Sequence, residues 1–270
     1  MFNAYLINEN HNKKYTRLFH SHDNELELYY VYSGKGYYIV GGRPYAVKAG
    51  DMVICNARTL HGDEPIKDSQ MLSYCCALTG VSIKGLPENC LIDKHTTPVV
   101  SCGAMAEKVG GIMELIYLFS SNIDHLGDLC TSLSVSILLL IYQLLDSRAR
   151  HKKDEVENPN DAVVKRIQDY LDTHYKSSLT LEMIGHALNM SPSFLSHVFK
   201  NATQISPIQY VIYRRFGEAQ SLLIDTDISI GEIADLLGFN SISHFSAMFR
   251  KHVGLSPFQY KKSMYEMNHR

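Results

Sequence analysis

Two stretches in the last third of the chain place polar side chains at the three- and four-residue spacing of one helix face. The first set is Ser193, Ser196, His197, Lys200 and Asn201. The second set is Ser243, Ser246, Ala247, Arg250 and Lys251. Short hydrogen-bonding side chains on a helix can read base edges in the DNA major groove, where an alanine can contact a thymine methyl group. The cations of both sets fall near the helix ends and are better placed for phosphates.

A helix would display the first set because its opposite face is apolar. Leu195, Val198 and Phe199 recur at helical spacing and should face a core. Ser191 followed by Pro192 is a typical helix start, with a capping side chain and then a proline in the first turn. A shorter helix containing small residues precedes it, which is the pattern of a helix-turn-helix unit.

The same pattern occurs a second time along the chain. Phe199 and Phe249 are 50 residues apart, and both copies continue into a Ser-Pro-x-Gln-Tyr segment. The predicted units span residues 180–201 and 229–251, with a long helix over 208–224 between them. A single unit would be equally consistent with an ordinary helical bundle, but the tandem copy favours DNA binding.

The first hundred residues are strand-like instead. Glycines and Pro44 separate short runs rich in Tyr, Val and Ile at residues 25–32, 36–40 and 43–48, and Gly41-Gly42 predicts a hairpin turn. Many short strands without helices between them indicate an antiparallel barrel or sandwich.

Helical periodicity begins near Gly103 and predicts two helices, over residues 104–120 and 124–148. The second carries a strong apolar stripe, so this helical hairpin either packs on the barrel or forms a dimer seam. A charged stretch broken by Pro159 follows, which is typical of an interdomain linker. The chain therefore divides into four expected parts: residues 1–102, 103–148, 149–161 and 162–270.

Composition limits the class of protein without naming it. The chain of 270 residues is 45% hydrophobic and 20% charged, with a formal net charge of −2, which is ordinary for a soluble globular protein. Residues 161–270 hold 11 basic and 10 acidic side chains, so charge alone does not indicate nucleic-acid binding. The six cysteines lack metal or disulfide spacing and should be buried thiols. The apolar run over residues 133–145 is shorter than the roughly 20 residues of a membrane span, so we expect a buried helix and no membrane.

The C-terminal third contains further short segments in a recognisable order. They are Arg-Phe-Gly-Glu-Ala at 215–219, Ile-Gly-Glu-Ile-Ala at 230–234, Gly-Phe at 238–239, Phe-Arg-Lys at 249–251 and Gly-Leu-Ser-Pro at 254–257. With the two polar helices, they make residues 162–264 resemble the DNA-binding domain of AraC/XylS-family transcription regulators. The resemblance implies that the recognition helices enter successive major grooves about one turn (~34 Å) apart. Gln204 departs from the family pattern, because the second unit has Gly254 in the matching place.

The strand-like half carries a second signature, made of His20, His22, Glu27, Gly34, Gly50, Asp51 and His61. It resembles the cupin sensor domain that is often joined to this DNA-binding unit, although Asn56 stands where a proline is usual. The resemblance implies that the three histidines and Glu27 lie together in the barrel. They could contact an organic ligand, hold a metal ion as three imidazoles and one carboxylate, or serve the structure alone.

Fold and function follow from the two resemblances. We expect an α+β multidomain protein with an N-terminal cupin-like β-barrel, a helical hairpin, and a C-terminal all-α domain with two helix-turn-helix units. The expected effector contacts are His20, His22, Glu27, Tyr29, Tyr38 and His61. Aromatic faces with a few polar groups suit a small polar metabolite such as a sugar.

The protein is then a cytoplasmic, ligand-responsive and sequence-specific transcription regulator, not an enzyme, and more an activator than a repressor. Its expected partners are double-stranded promoter DNA, a small-molecule effector, a second copy of the chain and RNA polymerase, with no cofactor. The alternative is a cupin-type metalloenzyme with a helical appendage, which its metal content would reveal. A DNA-architecture protein without a ligand is a third hypothesis.

Overall fold

The structure, a computed structural model, describes residues 2–7, 18–63, 71–93, 95–122, 127–149 and 160–268. The strands of its first half are β1 (Phe2–Ile7), β2 (Leu26–Ser33), β3 (Lys35–Val40), β4 (Arg43–Lys48), β5 (Asp51–Cys55), β6 (His61–Asp63), β7 (Leu72–Leu78) and β8 (Val99–Ser101). The large sheet has the antiparallel order β1-β7-β2-β5-β8, and the small sheet has the order β4-β3-β6. The predicted hairpin lies where expected, because Val40 pairs with Arg43 across Gly41-Gly42.

The large sheet is buried on both faces. Since neighbouring side chains of a strand point to opposite sides, β2 sends Tyr29 and Val31 into a core cluster that contains small-sheet residues. Its alternate residues Leu28 and Tyr30 enter a second cluster, formed with the helices that follow the barrel. This explains why almost every residue of β2 is apolar, in contrast to a sheet with one wet face.

The helical hairpin covers the outer face of the large sheet. After a short 3₁₀ segment (Gly103–Met105) come α1 (Ala106–Asn122) and α2 (Gly127–Ala149). Ile116 and Ile137 are buried against the sheet, but Leu139 on the outer side of α2 is 59% exposed. Residues 128–147 are long and apolar enough to cross a membrane, by length and composition only. Within the protein, 22% of that window is buried. The expectation of a buried helix is therefore wrong for most of α2, whose outer side is uncovered in the described structure and carries both apolar and polar side chains.

The second half is entirely helical over its described residues. Its helices are α3 (Asp161–His174), α4 (Leu181–Leu188), α5 (Pro192–Thr203), α6 (Pro207–Asp225), α7 (Ile230–Leu236), α8 (Ile242–Val253) and α9 (Pro257–Asn268). Their core is aromatic: Phe199, Phe216, Phe245 and Phe249 are fully buried. Phe199 packs edge-on against Tyr210 at 5.5 Å between ring centroids, and Phe249 packs in the same way on Tyr260 at 5.7 Å.

The repeated Ser-Pro-x-Gln-Tyr segment is a helix start in both units. Ser206 accepts a hydrogen bond from the backbone of Gln209 at 3.2 Å, and the Gln209 side chain accepts one from the Ser206 backbone at 3.0 Å. Ser256 and Gln259 make the equivalent pair at 3.3 and 3.1 Å. This reciprocal capping box satisfies two amides that the helix itself leaves unpaired. The motif therefore fixes where α6 and α9 begin.

The two halves share a core. The Phe19 ring lies edge-on to Tyr210 at 5.7 Å and to Tyr213 at 5.4 Å, and the Leu18 amide donates to the Gln220 side chain at 2.9 Å. On α6, Gly217 leaves the space that the Phe19 carbonyl occupies, because a Cβ added there would lie 1.8 Å from that oxygen. Residues 150–159, most of the expected linker, lie outside the described residues.

Candidate functional site

The first polar helix face lies on α5. The Ser191 side chain accepts from the Phe194 amide at 3.2 Å and caps the helix, whose buried side is Leu195, Val198, Phe199 and Thr203. Of the predicted DNA contacts, Ser193, His197, Lys200 and Asn201 are exposed and Ser196 is half-buried. The Asn201 side-chain nitrogen lies 3.3 Å from His197 Nε2, within hydrogen-bond distance, so the two side chains contact each other on this face.

The second polar face lies on α8 and repeats this arrangement. Ser241 caps the helix by accepting from the His244 amide at 3.1 Å, and the buried side is Phe245, Phe249 and Val253. Ser243, Ala247, Arg250 and Lys251 are exposed and Ser246 is half-buried. All ten predicted contact residues thus lie outside the core. Their contact with DNA stays a prediction.

Some exposed residues beside these faces were missed by the sequence analysis, which counted only the polar stripe. Phe194 is 48% exposed and Ile242 is 53% exposed, and both lie in the first turns of the polar helices. His244 is also exposed and stands 50 residues after Phe194. The 50-residue register was the available signal, because it pairs Phe194 with another exposed position.

Helix α6 joins the two units and is locked to α3. The Tyr210 hydroxyl lies 3.1 Å from both Asp172 oxygens, and Arg214 Nε donates to the same carboxylate at 3.0 Å. The Arg214 guanidinium also stacks 4.6 Å from the centre of the Tyr175 ring. Burial raises the pKa of Asp172, while the Arg214 charge opposes that shift. Because α6 also packs on α5 through Tyr210 and on α8 through Phe216, it holds the two polar helices in one relative position, which a two-groove reader requires.

The barrel brings its three histidines and Glu27 together. Glu27 accepts from His61 Nε2 at 3.0 Å, and His22 Nε2 lies 2.9 Å from the other carboxylate oxygen. His22 Nε2 is buried, and this close approach pairs it with Glu27 although the contact does not meet the angular criteria of a hydrogen bond. Burial raises the pKa of Glu27, but the three histidines together outweigh it and hold that pKa well below its usual range.

This histidine cluster (His20, His22, Glu27 and His61) fits the donor set of a divalent transition-metal ion. One ligand atom from each residue lies within 4.8 Å of the others. The Nδ1 atoms of His20 and His61 face the carbonyl oxygens of Leu18 and Thr59, at 2.9 and 2.8 Å. Such outer contacts commonly orient metal-binding imidazoles and leave Nε2 for the ion. The same groups can equally bind the hydroxyls of an organic ligand.

The two tyrosines of the predicted effector site lie in the inner core of the barrel. Tyr29 is fully buried, Tyr38 is 2% exposed, and their ring centroids are 4.2 Å apart. Ser73 donates to the Tyr29 hydroxyl at 2.7 Å. The structure therefore places Tyr29 and Tyr38 in packed surroundings, whereas His22 is partly exposed. Tyr32 and Tyr37 are both 45% exposed and point away from that core.

Two known domain families match the chain. A helix-turn-helix domain matches residues 184–263, and a cupin domain matches residues 12–70. An uncharacterised HTH-type transcriptional regulator of Escherichia coli K12, YdiP, is 31% identical over 245 residues, covering 90% of this chain and 80% of its own length. The lactose operon transcription activator of Staphylococcus xylosus is 25% identical over 235 residues, covering 87% of this chain and 82% of that protein. Among solved structures, the DNA-binding domain of AdpA in complex with a target DNA is 25% identical, with a TM-score of 0.38, over 40% of this chain and 96% of that domain.

Proposed function

Because this chain belongs to the AraC family of helix-turn-helix transcriptional regulators, in which an N-terminal cupin domain is joined to the DNA-binding domain, we propose that it activates an operon for the use of a sugar or similar polar metabolite. As a member of this family it is a sequence-specific DNA-binding regulator. A relative aligned over 90% of the chain is a transcriptional regulator, and this displaces the metalloenzyme alternative.

The observation that carries the proposal is the pair of matched polar faces on α5 and α8. Each is exposed, each lies on a capped helix of 12 residues, and both are joined to one connector helix. In this proposal residues 1–102 sense the effector, residues 103–148 form the dimer, 149–161 link the parts and 162–270 bind DNA. The ten residues of the two faces contact DNA. The effector contacts are the histidine cluster with Tyr29 and Tyr38.

The effector part of the proposal is supported by the buried polar groups of the histidine cluster and by one relative. The lactose operon activator aligns over 87% of the chain, including the barrel, and its name links it to a sugar operon. An effector acts on DNA binding only if it has different affinities for two arrangements of the protein. The shared core around Phe19 and α6 provides a physical connection between the barrel and the DNA-binding helices.

The dimer part of the proposal is supported by the uncovered side of α2. Leu129, Val135, Leu139 and Tyr142 are each at least 40% exposed on that helix. Val135, Leu139 and Tyr142 recur at three- and four-residue spacing on one side of the helix, and exposed apolar side chains grouped in this way are typical of a protein contact. We expect Leu139→Glu to convert a dimer to a monomer in sedimentation experiments. Leu118→Glu on α1 is the matched control, since Leu118 is 45% exposed, and dissociation by that variant alone would move the seam to α1.

The DNA-binding part is tested by selection from a random duplex library with the full chain. The selected sites should contain two conserved stretches about one helical turn (~34 Å) apart, one for each polar helix. We expect the effector to raise transcription by RNA polymerase from a promoter that carries such a site. A site with only one conserved stretch would contradict the two-groove arrangement, and a fall in transcription would make the protein a repressor.

A further inference from the structure

An exposed phenylalanine lies in the first turn of the first recognition helix. Phe194 is the third residue of α5 and is 48% exposed, although the next residue, Leu195, is fully buried. The Ser191 cap accepts a hydrogen bond from the Phe194 amide at 3.2 Å and fixes the backbone of this turn. The first residues of a recognition helix are the ones that contact base edges in helix-turn-helix proteins. The helix therefore presents an apolar ring where contact with bases is expected.

Phe194 continues a stripe of predicted DNA contacts along α5. Phe194, His197 and Asn201 have the spacing i, i+3 and i+7, which places them one above another on a helix. All three residues are exposed, and the lower two contact each other, with 3.3 Å between the Asn201 side-chain nitrogen and His197 Nε2. The ring therefore extends the predicted DNA-binding face towards the start of the helix.

The second unit has the matching stripe with its apolar and imidazole groups exchanged. Fifty residues later the stripe consists of His244, Ala247 and Lys251, and all three are exposed. On α5 the apolar group comes first and the imidazole follows one turn later. On α8 the imidazole comes first and the alanine methyl follows one turn later. Both stripes thus offer one apolar and one imidazole contact, in opposite order along the helix.

The major groove offers one kind of partner to an apolar side chain. Its base edges present hydrogen-bond donors and acceptors, together with the 5-methyl group of thymine, which is apolar. A phenylalanine ring can contact that methyl group, but it has no group that donates or accepts a conventional hydrogen bond. If the ring lay against a polar base edge, it would displace water without replacing the hydrogen bonds of that water. The chemistry of Phe194 therefore favours a thymine at the base that it meets.

We propose that Phe194 is a further specificity-determining residue, whose ring contacts the 5-methyl group of one thymine in the stretch of DNA that α5 reads. The inference rests on the proposed function, because it requires α5 to lie in the major groove. It adds a base preference that the hydrogen-bonding side chains of the polar face do not supply. In the second unit the matching apolar group is Ala247, one turn further along its helix.

The test measures whether Phe194 responds to the methyl group itself. Each thymine of a duplex selected by the full chain is replaced singly by deoxyuridine, whose base differs from thymine only by the missing methyl group. Dissociation constants are measured for the unmodified chain, Phe194→Ala and Phe194→Asn. At one position deoxyuridine should weaken binding of the unmodified chain by about fourfold, the factor that corresponds to burial of one methyl-sized group. The same replacement should leave the affinity of both variants unchanged, whereas loss of a purely structural residue would weaken binding to both duplexes equally.

Phe258→Ala is the matched control, because Phe258 is 67% exposed but lies on α9, outside both recognition helices. It should give the same deoxyuridine profile as the unmodified chain, and circular dichroism checks that every variant is folded. If the chain selects two-part sites but both Phe194 variants keep every deoxyuridine effect, the inference is wrong and the proposed function survives. If the chain selects no site at all, both are overturned.

Discussion

Each recognition helix in the two helix-turn-helix units is 12 residues long, begins after a capping serine and ends at a left-handed residue. The buried positions are also matched, with Phe199 and Phe249 each edge-on to a tyrosine 11 residues later. The exposed positions differ. The first face has one cation, Lys200, whereas the second has Arg250 and Lys251 and replaces a polar residue by Ala247.

The comparison of the two units separates positions that have the same structural role in both from positions whose roles differ. Core positions repeat because both units must pack a short helix pair on the same connector, α6. In the proposed function the exposed positions diverge because each face would meet a different stretch of DNA, and base contacts carry sequence information that phosphate contacts do not. The first unit also lies beside the barrel, because α5 approaches β4 and its Phe199 packs on Tyr210, which in turn contacts Phe19.

The largest expected effects concern the matched core. Phe199→Ala and Phe249→Ala should each lower the free energy of unfolding by about 3–5 kcal/mol, because each removes a fully buried ring. Urea denaturation measures the loss. Phe258→Ala is the control, since Phe258 is 67% exposed and should change stability by less than about 0.5 kcal/mol. A small loss for only one of the two variants would show that the units are not packed equivalently.

The equivalence of the units could be predicted from sequence because it rests on local signals. Ser191-Pro192 predicted the start of α5, and the structure begins that helix at Pro192. The long helix expected over 208–224 is observed as Pro207–Asp225. Caps and periodic apolar residues act within a few positions of one another, so a linear reading detects them. The predicted combination of an N-terminal β barrel with a C-terminal helical domain is also confirmed. It could be predicted because strand and helix patterns are local signals as well.

The contact between the halves could not be predicted in this way. Gly217 looks like an ordinary helix glycine in the sequence, and only the Phe19 carbonyl beside it explains the missing side chain. The sequence likewise singles out Tyr29 and Tyr38 as expected effector contacts, but it does not show that they fill the core of the barrel. Both facts depend on residues far apart in the chain, for which a single sequence holds no signal.

A second prediction concerns base reading, where the two faces should differ. His197→Ala should reduce discrimination at one or two base pairs of the first half of the site by about 1–3 kcal/mol, if its ring hydrogen-bonds a base. Ala247→Ser should have a smaller effect confined to the second half. Binding to a library of single-base variants measures both. A profile unchanged in His197→Ala would remove that residue from the base contacts.

A third prediction concerns the unequal number of cations. Lys200→Ala should weaken binding to all sequences alike and reduce the slope of log affinity against log salt by about 0.9, the value for one lost phosphate contact. The double variant Arg250→Ala, Lys251→Ala should reduce it by about 1.8. Lys165→Ala is the control, because Lys165 pairs with Asp169 on α3 at 3.0 Å. An equal reduction in slope for the single and double variants would contradict the assigned contacts.

The smallest expected effect concerns the residues that end the two recognition helices. Gln204 has φ 62° and Gly254 has φ 97°, so both occupy the left-handed region. Gly254→Gln should destabilise the protein by about 1–2 kcal/mol, since a side chain is unfavourable in that conformation. Gln204→Gly should stabilise it by less than about 1 kcal/mol, because relief of strain is offset by a more flexible unfolded chain. The Gln204 side chain also donates to the Asn201 carbonyl at 2.9 Å, and Gln204→Ala isolates the loss of that bond. If Gly254→Gln did not lower the stability in thermal or urea unfolding, the backbone angle would not explain the glycine at position 254. Gln204 of the first unit would then carry no conformational cost.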